Sequence, residues 1–124
     1  MGLFSGLMGN ASEVDDADLE KVLANTLIEG ERVEKAYKVV RDMFIFTNKR
    51  LILLDKQGVT GSKMEMISIA YSKITEFSKE SAGHFDLDAE LKIWVGSDPT
   101  PISKDFKAGD NINDVYRIIS QYSL

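Results

Sequence analysis

Few residues here carry chemistry, and their spacing limits what they can do. Asp86, Asp88 and Glu90 recur at every second position. On an extended strand they share one face, with about 6.6 Å between successive carboxylates, and clustered carboxylate oxygens suit a hard cation such as Ca²⁺. The same alternation makes the polar face of an edge strand, where charge discourages aggregation, and that reading is favoured. Asp15, Asp16 and Asp18 invite a second metal reading. They fall in the first turn of an expected helix, where capping and the helix dipole account for them. His84 is the single histidine, so spacing assembles no serine–histidine–acid arrangement; a turn or half-buried histidine is the plainer role. Cysteine is absent, which excludes disulfide scaffolds, thiol catalysis, iron–sulfur clusters and cysteine-based zinc sites. No glycine-rich phosphate loop, zinc-protease helix or nucleophile elbow occurs. The chain reads as non-enzymatic, with no catalytic residue, cofactor or resident metal.

Binding chemistry has more to work with. Lys35, Lys38, Arg41, Lys49 and Arg50, extended by Lys56 and Lys63, could form a basic patch for anionic lipid or an acidic partner surface. Glu34, Asp42 and Asp55 lie among them, so a solvated mixed-charge surface is the favoured alternative. Met64 and Met66 share a strand face with Ser68 and Ala70, and Trp94 shares one with Lys92 and Glu90. An apolar side chain on a polar face marks a protein contact, since Trp and Met are enriched in interface cores. A strongly bent barrel that buries both strand faces would explain the same residues. Leu3, Phe4, Leu7 and Met8 make an apolar arm, able to touch a membrane interface, fill a neighbour's groove or stay disordered.

Two helical patterns flank a long region of strand periodicity. Ser12 is a good N-cap for a helix over 13–29, and Leu19, Val22, Leu23, Thr26 and Leu27 form its apolar stripe, with Gly30 placed to end it. From 31 to 107 the period is that of strands. Val33, Tyr37 and Val39 share one parity; Met43-Phe44-Ile45-Phe46 and Leu51-Ile52-Leu53-Leu54 are short apolar runs about a turn at Thr47-Asn48-Lys49-Arg50. Met64 to Tyr71 alternates, Ile74 and Phe77 lie in the next strand, Phe85 to Val95 alternates again, and Ile102 and Phe106 mark a last strand after Pro99 and Pro101. A final helix starts near Gly109-Asp110-Asn111 with Ile112, Val115, Tyr116, Ile119 and Tyr122 on its apolar face. About thirteen residues span about 20 Å, enough to cover the mouth of a small barrel. Seven short strands with turns too short for crossover helices predict a mainly β (α+β) fold: an antiparallel barrel or sandwich capped by a helix.

Charge and length narrow the class. At 124 residues the chain is one domain in size. Twenty acidic and fifteen basic residues leave a net charge of −5, which argues against general nucleic-acid binding. The imbalance is segmental: 31–79 holds ten bases and six acids, 80–124 four bases and eight acids. That asymmetry permits head-to-tail contacts between copies. No apolar run exceeds four residues, so none spans a membrane, and without cysteine or an export signal the expected compartment is cytoplasmic.

Several blocks resemble one family. The stretch from Ser81 through Gly83-His84-Phe85-Asp86-Leu87-Asp88 to Trp94, the hairpin Thr47-Asn48-Lys49-Arg50-Leu51, Ile69-Ala70-Tyr71-Ser72-Lys73-Ile74 and the closing Lys104-Asp105-Phe106-Lys107-Ala108-Gly109-Asp110 are similar to the bacterial pleckstrin-homology-like (PH-like) domain family, formerly a domain of unknown function. The resemblance covers about 30–124. It implies a PH-like seven-stranded bent antiparallel barrel closed by a C-terminal helix, a tendency to ring-like homo-oligomers, and no catalytic residues. It divides the chain into an apolar arm with an acidic helix (1–30), which adds an extra N-terminal helix, and a PH-like domain (31–124). Eukaryotic PH domains often hold inositol phosphates with basic residues of the first two strands and their loop. Here Val40-Arg41-Asp42-Met43 is too short for such a cradle and Asp42 opposes it, so that ligand is not carried over. The reading that results is an interaction module that self-associates and binds a protein or peptide partner, with Met64, Met66 and Trp94 as its contacts. The alternative is a peripheral membrane or anionic lipid-headgroup module using Lys35, Lys38, Arg41, Lys49 and Arg50.

Overall fold

The structure, a computed structural model, describes residues 16–39, 42–57, 63–81, 88–107 and 112–124. Its organisation follows from the two apolar runs. Neither alternates, so a strand made from either has to be covered on both faces. These strands are β2 (Asp42–Thr47) and β3 (Arg50–Gln57), and Met43–Thr47 and Leu51–Leu54 are all buried. They form the centre of a four-stranded antiparallel sheet flanked by β1 (Val33–Val39) and β4 (Lys63–Ala70). Phe44, Phe46, Leu51 and Leu53 point to one face, into the main core. Ala36, Met43, Ile45, Ile52 and Leu54 lie on the other, under Leu23 of α1 (Asp16–Ala24), with Leu27, Val33 and Met66 at the margin.

A second antiparallel sheet contains β5 (Ile74–Ser81), β6 (Ala89–Val95) and β7 (Ile102–Phe106). Leu91, Ile93 and Phe106 face the first sheet, and Val115 and Ile119 of α2 (Ile112–Ser123) complete the core. The chain passes between sheets at a 3-10 turn, Tyr71–Lys73. Alternation from Met64 places Tyr71 at the end of a strand. Its hydroxyl instead donates to the Thr47 carbonyl at 2.6 Å, which holds the turn against the β2–β3 hairpin.

Two expectations need correction. The backbone ladders do not close into a barrel: among the described residues β4 and β5 are not paired, and the seven strands divide into sheets of four and three. The 3-10 turn separates β4 from β5, and Val115 and Ile119 of α2 share the core with residues of both sheets. Among the described residues the first helix runs Asp16–Ala24 and ends before the expected boundary at Glu29. Past Ala24 the Thr26 carbonyl accepts from Arg50 Nη2 at 2.8 Å, so it is tied to β3 and not to another helical turn. Ser12, Asp15 and the Leu3–Met8 arm lie outside the described residues, as do Gly109, Asp110 and Asn111 ahead of α2.

Gly30 sits in the turn between α1 and β1 at φ 82°, with open space where a Cβ would project. Gly30→Ala therefore costs only the backbone preference, about 1 kcal/mol in urea denaturation. A loss several times larger would mean that the turn makes a contact a methyl group disrupts.

Candidate functional site

The edges of the two sheets decide where another chain can attach. β1, β4, β5 and β7 are edge strands. The register of β1 shifts between Val33 and Lys35, and that of β5 between Ile74 and Glu76. Such irregularities blunt an edge. β7 is five residues long and directly follows Pro101. β4 differs: eight consecutive residues pair with β3 from Arg50↔Ala70 to Gln57↔Lys63 without a shift. Its other side meets no strand among the described residues.

Met64 and Met66 both stand on the outer face of β4, opposite Lys56 and Leu54. Met64 is 47% exposed. Met66 packs at the margin of the core beneath α1, its sulfur 3.6 Å from the Thr26 hydroxyl. The two explanations for this pair thus divide between them: burial of both sheet faces accounts for Met66, and Met64 is left to solvent. Trp94 is half-buried on the outer face of the other sheet, opposite Glu76. The structure brings Met64 and Met66 together and places Trp94 elsewhere. Ile28, 60% exposed, lies in the turn that Arg50 holds beside β4, by hydrogen bonds to the Thr26 carbonyl and, at 3.1 Å, to Ser68 Oγ. The apolar stripe of the helix runs through Leu27 and gives no sign that Ile28 is exposed.

The basic residues do not gather into one surface. Lys35 stands opposite Phe46 and Lys38 opposite Met43, on opposite faces of β1. Lys49 is exposed in the β2–β3 turn, and Arg41 lies outside the described residues. Arg50 is an internal fastener. Its Nε and Nη2 both reach the Glu31 carboxylate at 2.9 Å, a two-pronged contact. The Glu31 side chain is 0% exposed and also accepts from Thr47 Oγ1 at 2.7 Å and the Ile28 amide at 3.1 Å. The Arg50 hydrogen bonds outweigh burial and hold Glu31 down to about 2. Asn48 sits in the β2–β3 turn, and its side chain also reaches back: it accepts from the Arg32 amide at 2.7 Å and donates to the Gly30 carbonyl at 3.0 Å.

A second charged group lies between the sheets. Asp42 and Asp55 face each other across β2 and β3. Lys104 Nζ from β7 is 2.9 Å from Asp55 and 3.5 Å from Asp42. The parity of Ile102, Lys104 and Phe106 could have revealed this cluster, because a lysine between two core residues points inward and needs a buried counter-charge. Burial pulls Lys104 down, but hydrogen bonding to Asp55 and the two carboxylate charges leave it net raised. It is held as an ammonium, which removes it as an amine nucleophile.

Two members of the acidic triplet are described, and each lies beside a lysine. Asp88 pairs with Lys107 at 3.1 Å and Glu90 with Lys92 at 3.8 Å. No group of three or more metal-ligating side chains occurs among the described residues. Asp86 and His84 lie outside them.

Two sheets, an intervening 3-10 turn and a closing helix define the architecture, and comparison with known proteins assigns it. The profile of the family described as "Bacterial PH domain" matches residues 2–123. The chain belongs to this family. The match runs through α1 as well as the strands. The chain is 51% identical over 121 residues to the uncharacterized protein YjqA of Bacillus subtilis, covering 97% of each. It is 48% identical to a pleckstrin homology domain from Shewanella amazonensis of known crystal structure, with a TM-score of 0.81 over 94% of both chains. A DUF1696 family protein with a pleckstrin-homology domain from Shewanella loihica gives 46% identity and a TM-score of 0.74, over 94% of this chain and 99% of that one. No described helix is long and apolar enough to cross a membrane.

Proposed function

We propose that this bacterial PH domain is a non-enzymatic interaction module that self-associates and binds a protein or peptide partner along the rim of β4. One observation carries the reading: β4 is a long edge strand in unbroken register that presents Met64 to solvent. Soluble proteins blunt such edges unless something pairs with them. An added strand would gain main-chain hydrogen bonds from the edge and side-chain contact from Met64. The lipid-headgroup alternative has less support, since Lys35 and Lys38 occupy opposite faces and Arg50 is committed to Glu31.

Sedimentation velocity at high micromolar concentration tests this. The wild-type chain is expected to sediment above the monomer, and Met64→Lys to shift towards monomer with unchanged thermal stability, because the side chain is already half in water. A wild-type chain that stays strictly monomeric removes the self-association. Co-sedimentation with anionic vesicles at low salt tests the alternative, and a chain that stays in the supernatant counts against it.

A further inference from the structure

The Asp42–Asp55–Lys104 cluster has no role in attachment at β4, and its construction is unusual for a core. Lys104 is 10% exposed and Asp42 14%. Phe44, Leu53, Leu91, Ile93 and Phe106 make up the apolar core between the sheets. Two carboxylates directly opposite on neighbouring antiparallel strands repel one another, and the Lys104 ammonium reaches both.

Among the described residues, the charged groups on the neighbouring strands and on α2 stand as follows, and Asp55 makes a contact besides these. Glu65 of β4 stands opposite Asp55 and is exposed. On β1, Val39 stands opposite Asp42, while Lys38 has the other parity. On β6, Leu91 stands opposite Lys104. On β5, Lys79 stands opposite Leu91, but its ammonium lies 2.6 Å from Asn113 Oδ1 and over the Tyr116 ring of α2. The charged residues of α2, Asp114 and Arg117, are exposed.

We propose that Asp42, Asp55 and Lys104 form a proton-operated clasp between the two sheets, in which one solvent proton taken up by the carboxylate pair tightens the joint. The proton bonds to Asp42, which then donates to Asp55. Asp55 remains ionised against Lys104, and the cluster becomes neutral. Burial first, and the neighbouring Asp55 charge with it, raises Asp42 above the ordinary carboxylate value despite Lys104. The sign follows. A group raised on folding contributes stability that is complete below its unfolded value and is lost as pH rises through the folded one. Acidification from neutral pH therefore strengthens the clasp, in the opposite direction to Glu31.

The test is urea denaturation of the full chain at several pH values from mildly alkaline down to mildly acidic, with a ¹³C-carboxyl titration of Asp42. The wild-type unfolding constant is expected to fall with acidification by up to about tenfold per pH unit, the limit for one proton. Asp42→Asn should flatten that limb and match or exceed the wild type at neutral pH. The Asp42 carboxyl should titrate above 3.8, its unperturbed value. A midpoint at or below that value overturns the proposal, as does an Asp42→Asn chain that keeps the wild-type slope. Should the variant not fold, the carboxyl titration of the wild type decides alone. None of these readouts depends on oligomeric state.

Discussion

Arg50→Met is expected to cost about 3–5 kcal/mol at neutral pH, the usual consequence of removing one partner of a buried ion pair. The Glu31 side chain is 0% exposed, so the variant leaves a desolvated carboxylate without its main partner. Three further links go with it: to the Thr26 carbonyl, to Ser68 and to the α1–β1 turn that Glu31 anchors. Arg50→Lys should recover little, since an ammonium cannot make the two-pronged contact. Acid separates this effect from lost packing. Glu31 is held below its unfolded value of 4.5, at about 2. Its stabilisation is present above 4.5 and lost as pH falls towards 2, and linkage makes it about 3 kcal/mol at neutral pH. The gap between wild type and Arg50→Met should therefore narrow on going from neutral pH to pH values near Glu31's folded one. Urea denaturation at the two extremes measures it. A gap below about 1 kcal/mol at neutral pH, or one unchanged in acid, would show that Arg50 and Glu31 are not the fastener described.

Tyr122→Ala is expected to be nearly as damaging, at about 2–4 kcal/mol. The ring stacks on Tyr71 at 4.5 Å between centroids and lies parallel to Phe46 at 6.5 Å. Its hydroxyl donates to Glu34, a bond between residues 88 positions apart. Tyr122→Phe keeps the stacking and leaves Glu34 with Arg32 at 3.0 Å, so about 1 kcal/mol is expected. Burial, and then Glu34, push the Tyr122 hydroxyl up to about 12. Its contribution is complete below the unfolded tyrosine value and lost as pH rises through the folded one. Alkaline ultraviolet titration of the wild type against Tyr122→Phe reads that group. A Phe variant as unstable as the Ala variant would shift the weight from the ring to the hydroxyl.

The elements legible in the sequence were those whose signal is local. The unalternated runs Met43–Phe46 and Leu51–Leu54 required strands covered on both faces, and β2 and β3 are those strands. Ile112, Val115 and Ile119 at helical spacing gave the core-facing side of α2. The contacts that fasten the fold are remote in sequence, and their residues resemble ordinary surface charge. Glu31 and Arg50 are 19 positions apart and Asp42 and Lys104 are 62 apart. Arg50 therefore fell into a basic patch with Lys49, although its guanidinium turns inward. The contact residues were partly legible, because strand parity places Met64 and Met66 on one face. Parity could not tell which of them α1 covers, since that depends on where the chain leaves the helix.

The last helix has a consequence for how the chain is made. Every strand of the first sheet is translated before α2, and the ring that lies against Phe46 and Tyr71 is encoded 88 residues after its hydrogen-bond partner Glu34. On the ribosome, β1 to β4 can pair while one oily face still lacks its lid. A nascent chain paused between Ala70 and Ile112 would thus be the form most in need of a chaperone, and the one most prone to stick to its neighbours.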